Sequence, residues 1–412
     1  MSDPDFAPEL EGLHRAVELI AEHSTPAGGL PLPLEAPAAP WPDHLPETGI
    51  GAAPALEALA PAVLGGAARL GHPGYFAHMD PPTPWPSWAG ALWAASLNQN
   101  LLHDDAAPVA RELERAVVGW LAPFFGMDGG HLLPGSGVAT LTALWSAREL
   151  RGIDTVVASE LAHLSVRKAA AVLGLELVEL PAGHDDHRMR VSRLDTSNAA
   201  VVLSAGTVAA GAVDPLDAFP EAAWRHVDAA WAGPLRLSER HAGLLEGIER
   251  ADSVGFSAHK WLFQPKECAA VLFRETAAAH DAISYGGGYL AAPNIGLLGS
   301  HGASALPLAL TLMAWGREGT AGRIDTCMDL ARRLADRVQD ETRLELFGRP
   351  VTGVLLWRPA NEPAKDVQAR VQDAFVSLAT VHDQTWLRSV AANPNADPDL
   401  VVDAVLAALS PT

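Results

Sequence analysis

Between residues 155 and 273 the chain repeats one pattern, a short run of β-branched and apolar residues followed by a longer amphipathic or connecting stretch. Thr155-Val-Val-Ala, Leu175-Glu-Leu-Val-Glu-Leu, Ala199-Ala-Val-Val-Leu-Ser, Trp224-Arg-His-Val-Asp228, Ser253-Val-Gly-Phe-Ser and Cys268-Ala-Ala-Val-Leu-Phe all read as strands, and 163–173 as a helix. Buried strands separated by helices or crossovers imply an α/β domain with a largely parallel sheet. Ligands of such sheets bind at the carboxyl ends of the strands, and Thr207, Asp228 and Lys260 all fall at or just after such ends.

The flanks differ. Residues 9–22 have helical spacing, and the Pro- and Gly-rich stretch after them forbids regular structure, so an N-terminal helix and an extended arm are expected. A helix around 53–70 follows, then a rigid, Pro- and aromatic-rich loop from Gly71 to Trp85. Beyond the glycine-rich segment at Tyr285 the pattern predicts a long helix to about 340, strands at 351–358 and near Trp386, and helices at 365–379 and 398–409. A chain of 412 residues exceeds what one core usually organises. The expected division is an arm over 1–65 making subunit contacts, a large domain over 66–300, and a small α+β domain over 301–412.

Composition narrows the function. An apolar fraction of 49% with 19% charged residues describes a well-buried globule, and a net charge of −20 argues against binding nucleic acid or an anionic membrane. Cys268 and Cys327 cannot build a disulfide framework, and neither has a neighbour at metal-ligand spacing; Cys268 reads as a small buried apolar residue. The N-terminus lacks the pattern of a signal peptide, and no apolar run approaches 18 residues, so a cytoplasmic setting without membrane partners is expected.

The chemistry concentrates in Asp252-Ser-Val-Gly-Phe-Ser-Ala-His259-Lys260-Trp261, where a lysine sits between a strand and an aromatic cluster. Burial disfavours its ammonium form and leaves a nucleophilic amine. Asp228 ends a buried strand with no cation beside it in sequence. Pro134-Gly135-Ser136-Gly137 leads into a helical run, whose free amides and dipole suit an anion. An amine, a carboxylate, the imidazole of His163 and a phosphate cradle together match the needs of pyridoxal 5'-phosphate.

At these residues the chain resembles the group II pyridoxal-phosphate-dependent decarboxylases, the family containing aromatic-amino-acid, histidine and glutamate decarboxylases, with the type I aminotransferase fold. The closest matches are His226-Val-Asp-Ala-Ala-Trp-Ala-Gly233, Ala251 to Leu262, and Gln264-Pro-Lys-Glu-Cys268. Supporting ones are His72-Pro-Gly-Tyr-Phe-Ala, Ala162-His-Leu-Ser-Val-Arg-Lys, Ser204-Ala-Gly-Thr-Val and Trp315-Gly-Arg-Glu-Gly. They keep the family's order over roughly 70–410. The resemblance implies a decarboxylase that removes the α-carboxylate of an L-amino acid through a Schiff base at Lys260 and a quinonoid intermediate. It implies that Asp228 faces the pyridine nitrogen, that His163 stacks on the ring with Ala230 on its other face, and that Thr207 lies near the ring. Gly135, Ser136 and Gly137 would hold the phosphate with help from Ser257 or His259. A homodimer with the site at its interface is implied as well.

Three departures from the family pattern bear on the reaction. The expected proton-donating tyrosine falls in a short, glycine-rich region, where Tyr289, or else Tyr285, is the candidate. A site unable to return that proton yields an aldehyde by oxidative deamination, which is one alternative; a noncatalytic scaffold is another. The phosphate turn reads Pro-Gly-Ser-Gly-Val-Ala-Thr, although its backbone donors survive. His78, Met79 and Asp80 stand where aromatic residues are typical and are the candidate substrate contacts. Of the remaining motifs, His184-Asp-Asp-His187 reads as a solvated loop, so no metal is expected, and His103-Asp-Asp105 as the approach to a helix. His301 could face a neighbour's phosphate, and Arg388 either reaches the substrate or pairs with a carboxylate.

Overall fold

A computed structural model describes residues 10–24, 30–33, 38, 40–103, 105–288, 290 and 293–410. Among the described residues, four α-helices, α1 (Leu10–Ser24), α2 (Ala52–Gly65), α3 (Trp85–Leu97) and α4 (Pro108–Leu121), precede the first strand, β1 (Gly129–Leu133). The repeating unit follows as α5 (Ser136–Arg151), β2 (Thr155–Ser159), α6 (Leu164–Leu173), β3 (Glu176–Leu180), β4 (Ala199–Ser204), β5 (Trp224–Asp228), β6 (Ser253–Ser257) and β7 (Ala269–Phe273). These strands form one seven-stranded sheet in the order β1-β7-β6-β5-β4-β2-β3. β3, β2, β4, β5 and β6 run parallel, while β7 is antiparallel to both β6 and β1.

The continuous apolar runs are explained by burial on both faces. Every residue of β4, β6 and β7 is buried, and each Val, Leu or Phe so placed contributes about 1.5–3 kcal/mol. That burial fixes the register, because a slip of one residue would reverse every side chain. Ser204 lies opposite Asp228, and Asp228 opposite Gly255, so the carboxyl ends of β4 and β5 are level and β6 runs two residues further, to Ser257.

The chain continues through α7 (Thr276–Ala282), the short pair β8 (Ser284–Tyr285) and β9 (Asn294–Ile295), and α8 (Ala305–Gln339), which kinks at Gly316. Close packing of α3 on α8 needs Gly90, where a β-carbon would lie 2.6 Å from Pro307 Cα. The C-terminal part holds β10 (Leu344–Leu346), β11 (Val354–Pro359), α9 (Ala364–Gln368), β12 (Ser377–Val381), β13 (Gln384–Val390) and α10 (Pro398–Ala407). Its antiparallel sheet is ordered β10-β11-β13-β12. The loop before α3 is stitched to this sheet: Phe375 N–H donates to Gly74 O at 2.8 Å, and Val390 N–H to Phe76 O at 3.2 Å.

Several elements differ from the sequence expectation. The helix expected over 365–379 stops at Gln368, and 377–381 is a strand, because His382 and Asp383 both adopt positive φ (47° and 61°) and close a tight hairpin onto β13. The helix expected to reach 70 ends at Gly65, where two consecutive glycines weaken it. β1 and α3 carry no strong signal; β1 begins with two glycines, and α3 starts among prolines.

Candidate active site

Asp228 is the last residue of β5 and is 8% exposed. Its Oδ1 accepts from Ala230 N–H at 3.1 Å. Lys260 lies in the tight turn after β6, where its N–H donates to Ser257 O at 3.2 Å and its carbonyl accepts from Phe263 N–H at 2.9 Å. Next to it Trp261 is fully buried, stacks near Trp231 with centroids 4.1 Å apart, and donates Nε1–H to Ala391 O at 2.9 Å. The lysine backbone is thus pinned on both sides, and the residue lines the same cavity as Asp228. Lys260, Asp228, His163, Thr207, Ala230 and Ser136 line one small cavity, together with Met79, Ser204, Gly206, Val208 and Trp231.

Burial lowers the Lys260 pKa, opposed by the nearby Asp228 carboxylate. His163 is likewise lowered by burial, again opposed by Asp228. His163 caps α6, with its Nδ1 accepting from Ser165 N–H at 3.2 Å and lying 2.8 Å from Ser165 Oγ. This fixes the ring at the mouth of the cavity.

A helix start adjoins: Ser136, the first residue of α5, lines the same cavity. Gly135 is the residue before α5, in extended conformation; Val138 N–H donates to its carbonyl at 3.0 Å, and the helix start has no side-chain cap and no acidic residue in its first turn, so its dipole is not neutralised there. Gly135 has no heavy atom within 4 Å of where its β-carbon would be. Two polar atoms nearby in sequence to Lys260 are buried without partners among the described residues, Ser257 Oγ and His259 Nδ1. Burial, with Lys266 and Lys260 adding, pushes His259 down to about 4, so its ring is neutral at pH 7. Orphaned donors and acceptors beside an uncapped helix fit a phosphorylated, hydrogen-bonding group such as pyridoxal phosphate.

The other expected residues fall around this centre. Thr207 is buried and its Oγ1 accepts from Ala212 N–H at 3.0 Å. Gly137 lines a separate shallow hollow with His163 and Lys168. Met79 lines the cavity, while His78 is exposed and meets the Phe375 ring edge-on at 5.3 Å. Asp80 forms an ion pair with Lys266. Arg388 on β13 is 6% exposed and donates Nε–H to Val208 O at 2.7 Å and Nη1–H to Ala77 O at 3.3 Å; no carboxylate lies within salt-bridge distance among the described residues. Tyr285 is 62% exposed and stacks on Trp145 at 6.0 Å, away from the cavity, and Tyr289 lies outside the described residues.

Sequence reasoning missed Gly206, Val208, Trp231 and Lys266. Gly206 had a readable signal: it follows a strand end and has φ 92°, and a β-carbon there would lie 2.9 Å from Trp231. The solvated loop expected at 184–187 is exposed through Asp186, but His187 is 3% exposed and stacks on Phe347 at 4.2 Å. Cys268 is buried, and burial pushes its thiol up to about 12. A roomier cavity between α4, β1 and α7, holding Glu114, His131 and His301, shares no residue with the site.

The sequence matches the family described as "Pyridoxal-dependent decarboxylase conserved domain" over residues 56–358. The chain belongs to that family. It is 31% identical to the L-2,4-diaminobutyrate decarboxylase of Rhizobium meliloti (strain 1021), over 87% of this chain and 82% of that protein. It is 29% identical to the mouse (Mus musculus) cysteine sulfinic acid decarboxylase, over 70% and 68% of the two chains. Among solved structures, Oryza sativa TDC with PLP and tryptamine superposes with a TM-score of 0.86 at 22% identity, covering 97% of this chain and 96% of that one. The protein is therefore a pyridoxal-phosphate-dependent amino acid decarboxylase with the fold of that family, and the scaffold alternative is set aside.

Proposed function

We propose that Lys260 is the residue that binds the cofactor covalently and Asp228 the partner of its pyridine nitrogen. The single observation that carries this reading is the cavity that joins a buried amine, its pKa lowered by burial, to a carboxylate at the end of the adjacent strand. Gly135, Ser136 and Gly137 at the start of α5, with Ser257 and His259, hold the phosphate. His163 and Ala230 flank the ring, and Thr207 lies beside it. When bound, the cofactor supplies an electron sink for the pair released as the Cα–carboxylate bond breaks. The residues of the chain orient that bond, exclude water and return a proton to Cα. The order of residues nominates Tyr289 for the last role.

His78, Met79 and Asp80 read the substrate side chain. Asp80 is already neutralised by Lys266, so the pair offers a contact for either charge. Diaminobutyrate and cysteine sulfinic acid, named for two relatives, carry opposite side-chain charges, so kinship does not choose between them. The chain acts in the cytoplasm; among the described residues no helix is long and apolar enough to cross a membrane. It is a homodimer with the site at its interface. Support comes from the apolar stripe of α3, where Trp85, Trp88, Leu92, Trp93 and Leu97 are each more than 40% exposed (73%, 44%, 47%, 52% and 61%). Residues 1–65 form the arm that completes this contact, 66–300 the large domain and 301–412 the small one.

Carbon dioxide release across aromatic, acidic and basic L-amino acids tests the reading, with products identified by mass. Amine equimolar with carbon dioxide is expected. Aldehyde with stoichiometric hydrogen peroxide would instead establish oxidative deamination.

A further inference from the structure

Two fully buried indoles stand directly after residues of the proposed site: Trp231 follows Ala230, and Trp261 follows Lys260. Their rings lie 4.1 Å apart at an angle of 32°. An indole N–H only donates, so each needs an acceptor in this dry interior. Both find one on the C-terminal part of the chain. Trp231 Nε1–H donates to Thr352 O at 2.7 Å, and Trp261 Nε1–H to Ala391 O at 2.9 Å. The two acceptors belong to adjoining segments of one sheet. Thr352 lies two residues before β11, Ala391 immediately follows β13, and Ala391 N–H donates to Gly353 O at 2.9 Å.

Gly353 lets that sheet come close. It has φ 73°, and a β-carbon there would lie 2.8 Å from Trp261 Cζ2 and 3.0 Å from Cη2. The segment beside it is also tied back to the site: Thr352 Oγ1–H donates to Gly211 O at 2.7 Å, and Gly211 N–H to Thr207 O at 2.8 Å. At the same end of the sheet Val390 N–H donates to Phe76 O at 3.2 Å, in the loop that carries Met79. Ala230, Lys260, Thr207 and the Met79 loop are therefore all referred to one edge of the C-terminal sheet, the first two through the indoles.

We infer that Trp231 and Trp261 are positioning residues: stacked on each other and bonded to Thr352 O and Ala391 O, they hold Ala230 and Lys260 in register with the loop that carries Met79. The inference rests on the proposed roles of Lys260 and Ala230 toward the cofactor. An indole has only two side-chain torsions, so a ring fixed at its N–H and on its face also fixes the backbone of its own residue and the peptide that joins it to the residue before.

Trp261→Phe and Trp231→Phe each keep an aromatic ring and remove the donor. Trp224→Phe is the control, because Trp224 is also buried and donates Nε1–H to Ser253 Oγ at 2.8 Å, but at the opposite end of β5 and β6 from the cavity. The first test needs no turnover. In hydrogen exchange of the apoenzyme, Trp261→Phe is expected to speed exchange about 10-fold or more in 258–263 and 389–393 together, and unchanged exchange in 258–263 would overturn the inference. The second uses the holoenzyme. Both site variants are expected to weaken cofactor binding about 10-fold and to lower kcat about 10- to 100-fold with KM changed less than about 3-fold, as misplacement of a reacting group requires. They should also shift the pH midpoint of the bound cofactor's visible absorption band. Trp224→Phe should lose stability in urea and leave cofactor affinity, kcat and that midpoint at wild-type values. Site variants that behave like this control would show that the indoles merely pack. Gly353→Ala presses a methyl group on Trp261 without removing its donor; it should produce a smaller loss in the same direction, and it carries the test if Trp261→Phe does not fold. If borohydride leaves no adduct on Lys260 of the wild type, the underlying role of Lys260 fails. If the adduct is there while Trp261→Phe, Trp231→Phe and Gly353→Ala match the control, the role of the indoles alone fails.

Discussion

The ends of β5 and β6 and the loop over 71–85 meet at one cavity, but they are built differently. Asp228 and Ser257 end neighbouring parallel strands whose register is set by continuous burial, and Lys260 sits in the tight turn that follows, pinned by contacts within a few residues. Met79 instead reaches the cavity on a loop held by the distant C-terminal sheet: Ala77 O accepts from Ser377 Oγ at 3.0 Å and from Arg388 Nη1 at 3.3 Å, contacts that join residues 300 and 311 positions apart. The proposed reacting groups stand on the rigid, locally determined half. The proposed side-chain selection belongs to the half assembled from afar and partly open to solvent, where substitutions are expected to alter preference without dismantling the chemistry.

Substitutions should separate the two halves. Lys260→Ala removes the amine at the centre of the rigid half and should lower turnover by about 10⁴-fold or more, measured as carbon dioxide release. Asp228→Asn should cost about 10²- to 10³-fold in kcat with little change in KM, because its charge matters most as the bond breaks. On the assembled half, Arg388→Met strips Val208 O and Ala77 O of a shared donor; urea unfolding should show a loss of about 1–3 kcal/mol, and KM should rise more than kcat falls. Asp80→Asn breaks a pair that is largely exposed, so stability should stay within about 1 kcal/mol, while the ratio of kcat/KM for basic over acidic amino acids shifts. An unchanged ratio would remove Asp80 from substrate selection.

A last prediction concerns pH. His226 and His259 both have folded-state values pushed down to about 4, against an unfolded value near 6.5. Between these limits the unfolded chain binds more protons, so apoenzyme stability should rise with pH from about 4 to 6.5 and be lost as pH falls through that window. Equilibrium unfolding across the range should show a shallower slope for His226→Gln.

The contrast also explains what could be read from sequence. Ala199–Ser204, Trp224–Asp228 and Ser253–Ser257 are strands where their continuous apolar runs place them, because burial on both faces leaves a local mark. The order of Lys260, Asp228 and His163 along that pattern was legible for the same reason. The partnership of Lys266 with Asp80 and of Arg388 with Val208 was not, since each joins residues that only the tertiary fold brings together. The 377–381 strand was hidden because Ser377-Leu-Ala-Thr-Val is too short to outvote the preceding helical spacing, and its hairpin turn uses His-Asp rather than the commoner Asn-Gly.

The central claim is that Lys260 holds the cofactor. Borohydride reduction of the holoenzyme, followed by peptide mass mapping, tests it most directly. The reduced pyridoxyl phosphate adduct should map to Lys260 alone; an adduct on the neighbouring Lys266, or none on Lys260, would contradict the account.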